Sequence, residues 1–399
     1  MSYFPILQIK IGRKMSKGNK RSYIREILDV IDENTISFAG GLPDERLFPL
    51  EEIQNASAIV LKNRKALQYS SSRGLIGLRQ KIADIYTEKL GFKTSADEIL
   101  ITSGSQQAFD IIVKSLDKKN VIIEQPSYIG AIGAFRSLNM KIDSFKYISE
   151  LPRKLNSSNI LYAISDFQNP STNSYNSIER EILINIINRK KSFFIEDGAY
   201  TFLNFDNEYN IPISKYCERA FHLGSFSKIV APGLRIGWIR ANRKLIDNLL
   251  VVKESLDLHT STLNQMILDE YLNSHDLFSH IKKLNIDYRM KMNFMADCLE
   301  KYIPSFKFNR PKGGMFIYGS FNTNSMKLAE EAMLKGIAFV PAEVFYLNKK
   351  TNEARLNFTN SSFDDIEKGV RILASIIDKK EVSKESIWLS LFKKYFKAN

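Results

Sequence analysis

A chain of 399 residues, 44% of them hydrophobic, has enough apolar surface for a large core shared between two domains. Its two cysteines, Cys217 and Cys298, and its four histidines suit neither a disulfide framework nor a metal site, a usage that fits a reducing cytoplasm. The net charge of +13 is spread over lysines along the whole chain rather than along one stripe, which argues against nucleic acid as a partner. In chain order, residues 1–20 are basic but lack the apolar core of a signal peptide, so a cytoplasmic location is expected. Nowhere does a run approach the roughly 20 apolar residues of a membrane span. Ile24, Ile27, Leu28 and Ile31 repeat at helical spacing, with Arg25 on the other side. The stretch Ser37-Phe38-Ala39-Gly40-Gly41-Leu42-Pro43 then forms a loop, since paired glycines admit close backbone approach and the proline stops a helix. Tyr69-Ser70 and Gly74 lead into a helical pattern at 78–83.

A strand-like run at 99–103 turns at Gly104 into a helical pattern. Such a turn leaves free N–H groups and the positive end of a helix dipole outward, so a phosphate is expected at Gly104, Ser105 and Gln106. Strand-like runs recur at 121–124, 142–147, 160–165, 193–196, 221–223 and 236–238, with helical patterns such as 128–138 and 178–188 between several of them. That alternation predicts an α/β fold with a mostly parallel sheet covered on both faces, whose ligands collect at the strand carboxyl ends. Pro126-Ser127-Tyr128, residues 166–172, Asp197-Gly198-Ala199-Tyr200 and Ser225-Phe226-Ser227-Lys228 each follow such a run. From 245 to 302 the pattern is continuously helical, and runs at 311–318, 337–341 and 354–358 then read as strands of a smaller α+β domain. The expected organisation is an N-terminal arm with part of the small domain (1–45), a large domain (46–285), a small C-terminal domain (286–380) and a C-terminal amphipathic extension (381–399). In the extension Ile387, Trp388, Leu391, Phe392 and Tyr395 share one helical face, suited to docking on the body, on a second subunit or on a membrane surface.

Lys228 stands where a short buried strand gives way to a loop. An amine held there is partly desolvated, which lowers its pKa and lets it attack a carbonyl. Ser225, Ser227 and Arg235 add the donors a phosphate monoester needs, and lysine plus phosphate donors points to pyridoxal phosphate. The remaining parts have candidates at neighbouring strand ends. Asp197 would keep the ring nitrogen protonated, Asn169 and Tyr200 would donate to the phenolic oxygen, and Tyr128 would stack on the ring. Lys228, displaced from the aldehyde by an amino acid, would serve as general base.

These stretches, together with Leu67-Gln68-Tyr69-Ser70, Ile101-Thr102-Ser103-Gly104-Ser105-Gln106-Gln107-Ala108, Phe167-Gln168-Asn169-Pro170, Pro232-Gly233-Leu234-Arg235 and Arg310-Pro311-Lys312-Gly313-Gly314-Met315-Phe316, resemble the class I/II aminotransferases of pyridoxal phosphate fold type I. The likeness lies towards the 2-aminoadipate, kynurenine and aromatic aminotransferase group. The resemblance implies a seven-stranded, mostly parallel large-domain sheet and a homodimer with shared active sites. It also implies Lys228 as Schiff-base lysine, Asp197 at the ring nitrogen and Tyr128 as a catalytic stacking partner. Ser105, Gln106, Ser225 and Arg235 would hold the phosphate, with Tyr69 reaching it from the neighbouring subunit. Arg355 would clamp the substrate α-carboxylate, and Arg25 and Gly40 would border its side chain. Small-molecule amino acids and 2-oxo acids follow as substrates, with glutamate and 2-oxoglutarate as the implied donor and product pair.

Two departures stand out. Ser171-Thr172-Asn173 follows Asn169-Pro170 where the family usually has Thr-Gly, and Gly198 stands where relatives often carry a second acidic residue. Two other reactions or roles use the same fold, a pyridoxal phosphate lyase or decarboxylase and an effector sensor in a transcription regulator. For the regulator, the 35 residues before Ile36 are fewer than its DNA-binding domain would need.

Overall fold

The computed structural model of the chain describes Ile27, Asp29, Ile31, Asp32 and residues 34–378. Arg25 and the amphipathic extension therefore lie outside the described residues. Among the described residues thirteen strands form three sheets: β1 Ile36–Ser37, β2 Ile99–Thr102, β3 Asn120–Glu124, β4 Lys141–Phe145, β5 Asn159–Ala163, β6 Phe193–Asp197, β7 Ala220–Ser225, β8 Gly237–Arg240, β9 Lys307–Phe308, β10 Phe316–Ser320, β11 Ile337–Ala338, β12 Val340–Pro341 and β13 Glu353–Asn357. The largest sheet has seven strands in the order β2-β8-β7-β6-β5-β3-β4. Neighbours are parallel from β7 through to β4, and only β8 runs against its neighbours β2 and β7.

Both faces of this sheet are covered, and the period-2 alternation of strand side chains divides the core accordingly. Val121 and Ile123 join Phe109, Ile112 and Phe135 on one face. Ile122, between them, packs with Leu151, Leu183 and Ile187 on the other. The helices Ser105–Ser115 and Ile129–Ser137 supply the first cover, and Ser177–Lys190 the second. A parallel crossover needs a dozen or more residues, usually helical. Residues 226–236 between β7 and β8 are too few for one, so the chain turns straight back and β8 is antiparallel. That short return carries both Lys228 and Arg235.

The sequence pattern from 245 to 302 is broken into three helices, Arg243–Asp257, Thr262–Ser274 and Leu277–Tyr302. Leu258 takes a positive φ of 62° at the first break. The second helix is capped by the Ser261 hydroxyl, which accepts from the Asn264 N–H at 3.3 Å, and the third by Asp276, which accepts from the Phe278 N–H at 2.9 Å. Apolar periodicity continues across both interruptions, so it hides them.

Beyond the long third helix, β12-β13-β10-β9 form an antiparallel sheet and β1 pairs with β11 in parallel. The run expected as one strand over 311–318 becomes strand only at Phe316, because Gly314 turns the chain with φ 75°. Residues 337–341 likewise divide between two sheets as β11 and β12. No helix among the described residues is long and apolar enough to cross a membrane.

Candidate active site

The carboxyl ends of β5, β6 and β7, the turn after β2 and the small sheet meet around Lys228. Its Nζ donates to the Gly41 carbonyl at 2.7 Å. Desolvation, helped by repulsion from Arg355 and Arg235, lowers its pKa from 10.5 to about 8. This is the held, partly neutral amine that the strand-end position predicts. Asp197 ends β6 and is buried. Its Oδ2 accepts from the Tyr162 hydroxyl at 3.0 Å and its Oδ1 from the Ala199 N–H at 3.3 Å. Burial pushes its pKa up to about 6, against the pull of those two donors.

Asn169 and Tyr200 come together as the sequence suggests, with Asn169 Nδ2 donating to the Tyr200 hydroxyl at 3.1 Å. Arg355, on β13, donates from Nη1 to Asn169 Oδ1 at 2.8 Å and from Nη2 to the Ala39 carbonyl at 2.7 Å. Its guanidinium lies 4.1 Å from the centre of the Phe316 ring and 5.0 Å from that of Phe345. Among the described residues no carboxylate forms an ion pair with it, and its buried Nε has no hydrogen-bond partner. Burial lowers its pKa to about 10. A desolvated cation with only neutral partners favours an anionic ligand.

The Gly40-Gly41 loop is pinned by side chains from this same cluster. Arg355 takes the Ala39 carbonyl, Asn357 the Gly40 carbonyl at 2.7 Å, Lys228 that of Gly41, and the Thr359 hydroxyl that of Leu42 at 2.8 Å. Gly40 thus lies in the same cluster as Lys228 and Arg355, with its backbone held by Asn357.

The turn after β2 supplies the opposite end. Gly104 has φ 81° and precedes the helix Ser105–Ser115, with no side-chain cap on that helix. A Cβ on Gly104 would lie 2.5 Å from Arg235 Nη2, so a side chain there would displace the guanidinium as well as strain the positive φ. Arg235 donates from Nη2 to the Ser103 carbonyl at 3.3 Å and from Nη1 to the Ser227 hydroxyl at 3.4 Å. The Ser225 hydroxyl accepts from the Ser227 N–H at 3.1 Å. Gln106 Nε2 reaches the Gly130 carbonyl at 3.3 Å, tying the helix start to the turn that carries Tyr128. Tyr128 lies immediately before the helix Ile129–Ser137 with its ring over Gly130. Tyr69 stands apart from these residues, 77% exposed and meeting the His259 ring edge-on.

The two departures have local accounts. Thr172 sits at φ 64°, a conformation glycine adopts freely, and the turn closes through the Thr172 N–H on the Gln168 carbonyl at 2.6 Å. At Gly198 a Cβ would lie 2.5 Å from the His222 ring. His222 is fixed beneath it by the Tyr86 hydroxyl at 2.5 Å, so an acidic side chain has no room.

Residues 34–373 match the family model of the class I and II aminotransferases. The chain belongs to that family. It is similar to aromatic-amino-acid aminotransferase 1 of Thermococcus litoralis, with 34% identity over 92% of this chain and 94% of that one. The 2-aminoadipate transaminase of Thermus thermophilus is 34% identical over 88% and 92% of the two chains. The solved α-aminoadipate aminotransferase of Thermus thermophilus, complexed with N-(5'-phosphopyridoxyl)-L-leucine, superposes with a TM-score of 0.81 at 31% identity, covering 89% of this chain and 94% of that one. The protein is therefore a pyridoxal phosphate-dependent aminotransferase of fold type I.

The residues present fit that cofactor: an amine of lowered pKa, a buried carboxylate, two neutral donors, and an open helix start beside Arg235. Three contributors escaped the sequence reading. Tyr162 lies inside an apolar strand run, and Asn357 ends β13 without a recognisable motif. Lys253 is fully buried on a helix, where its Nζ meets Gln107 at 3.0 Å, Asp257 at 2.6 Å and Thr260 at 3.0 Å. Gln107 in turn accepts from the Ser103 N–H at 2.8 Å, so Lys253 braces the expected phosphate seat from behind. The only signal for Lys253 was a lysine on the apolar side of an amphipathic helix.

Proposed function

We propose that this aminotransferase moves the amino group of 2-aminoadipate, an aromatic or a branched-chain amino acid to a 2-oxo acid such as 2-oxoglutarate, in two half-reactions of ping-pong type. The observation that carries the reading is Arg355, a buried guanidinium with neutral partners directly beside Asn169 and the Gly40 loop. A substrate α-carboxylate supplies the missing anion, and bidentate geometry suits a guanidinium better than an ammonium. Bound pyridoxal phosphate supplies an aldehyde for the amino group and an electron sink for the pair left at Cα. Lys228 Nζ, whose lowered pKa of about 8 gives it a neutral fraction at physiological pH, takes the Cα proton and returns it from the same tether. Asp197, as a carboxylate, favours a protonated ring nitrogen, while Asn169 and Tyr200 orient the ring from its phenolic side. Gly104, Ser105, Gln106, Ser225, Ser227 and Arg235 make the phosphate end, braced by Lys253.

Tyr69 completes the phosphate end of a second subunit in a homodimer. Its exposure supports this, as does that of Leu67 at 78% and Ile76 at 63% nearby in the chain, apolar surface suited to an interface. The substrate range follows from the aromatic and 2-aminoadipate relatives, with Arg25 proposed to meet a distal carboxylate.

The test is the visible absorbance of the purified protein, read before and after single amino acids. The visible band is expected to move to the near ultraviolet with 2-aminoadipate, glutamate, leucine or phenylalanine, and to return with a 2-oxo acid. A band that none of these amino acids moves would contradict the proposal.

A further inference from the structure

We propose that Tyr162 is a positioning residue that holds the Asp197 carboxylate, ionised and in a single orientation, against the ring nitrogen of the cofactor. The proposal rests on the reading of Asp197 as the ring-nitrogen partner.

Tyr162 lies on β5, where it pairs in register with Ile195 of β6, two residues before Asp197. Its side chain is buried, and its ring is wedged edge-on against Phe109 at 5.5 Å and Phe135 at 5.6 Å. Phe109 and Phe135 also meet each other at 5.7 Å, so the Tyr162 ring is locked into a buried three-ring cluster that leaves its hydroxyl directed at Asp197 Oδ2, 3.0 Å away. Oδ1 is taken from the other side by the Ala199 N–H. Each carboxylate oxygen thus carries one fixed donor and keeps lone pairs for a further one. No other side chain described here donates to Asp197, so its orientation depends on this phenol.

The chemistry agrees with the geometry. Burial and the Asp197 charge keep the Tyr162 phenol protonated, its pKa raised well above 10.0, so it acts towards Asp197 as a donor. Burial alone favours a neutral Asp197, and the Tyr162 hydrogen bond works against that. A neutral carboxyl would do little to hold a proton on the ring nitrogen. In the sequence Tyr162 falls within the strand-like run 160–165, where its apolar neighbours mark it as a core residue.

The experiment compares binding of two ligands to the full-length protein after the cofactor is stripped. One is pyridoxal phosphate and the other its analogue with carbon in place of the ring nitrogen. Wild type, Tyr162→Phe and Asp197→Asn are measured side by side. Tyr162→Phe is expected to weaken pyridoxal phosphate about tenfold and to leave the analogue within about twofold of wild type. Asp197→Asn is expected to lose more of the preference for the nitrogen ring. Unchanged analogue binding also shows that Tyr162→Phe is folded. If Asp197→Asn loses the preference but Tyr162→Phe keeps it, or weakens both ligands equally, the role given to Tyr162 is wrong. If Asp197→Asn keeps the preference, the ring-nitrogen reading itself fails and the proposal falls with it.

Discussion

Asp197 and Arg355 both act on the Tyr200 phenol, yet they are held in place in different ways. Asp197 is fixed by the adjacent strand through Tyr162 and by the chain two residues on through Ala199. Arg355 is fixed by Asn169 and Ala39, which are 186 and 316 residues away in the chain. The ring end of the site therefore forms with the large sheet. The end proposed to hold the substrate α-carboxylate exists only when the small sheet, the Gly40-Gly41 loop and the Asn169 loop have all docked.

In the proposed mechanism Lys228 serves both ends, and Lys228→Ala is the largest break: the first half-reaction should slow by at least about 10³-fold. Rapid mixing with glutamate measures it, and a rate within tenfold of wild type would contradict the assignment. Arg355→Lys separates the ends. It should lower kcat/KM for amino acids by about 10- to 100-fold, through the lost bidentate contact, while cofactor affinity stays as it was.

Asp197→Asn should act in the opposite sense on stability and on function. In the cofactor-free protein Asp197 has a folded pKa of about 6, above the 3.8 of an ordinary aspartate, so the folded state holds a proton there between those values and loses stability as pH rises through them. Replacing it with a neutral amide should stabilise the cofactor-free protein above pH 6 by on the order of 2 kcal/mol, a gain that fades towards pH 4. Chemical denaturation across that range checks the sign. Lys228 gives the complementary pH signature. With a pKa of about 8, its neutral fraction grows with pH, so cofactor uptake by the stripped protein should quicken about fivefold from pH 7 to pH 8 and little more beyond. A rate independent of pH there would count against the lowered pKa. The smallest effect belongs to Thr172→Gly, which relieves a positive φ beside the carboxylate end and should raise stability by up to about 1 kcal/mol. Thermal unfolding of the holoenzyme reads it.

The large sheet was legible because its inner strands are buried on both faces and read as apolar runs between helical patterns, whereas the edge strand β4 is largely polar. Lys228, Asp197, Asn169, Tyr200 and Arg235 were legible because chemistry at strand ends leaves polar residues where an apolar run stops. What was hidden has physical reasons. The two-residue strands β1, β9, β11 and β12 are too short to show a period. The helix breaks near Leu258 and His275 interrupt hydrogen bonding without interrupting apolar spacing. Tyr162, Asn357 and Lys253 act on the site through partners distant in sequence, and nothing in their local pattern distinguishes them from core or helix residues.

The most direct test of the central claim is a single turnover without an acceptor. Holoenzyme mixed with excess glutamate should release one equivalent of 2-oxoglutarate per Lys228 site, with no ammonia and no carbon dioxide, and then stop until a 2-oxo acid is added. Continuous release of product, of ammonia or of carbon dioxide would contradict an aminotransferase that works in two half-reactions.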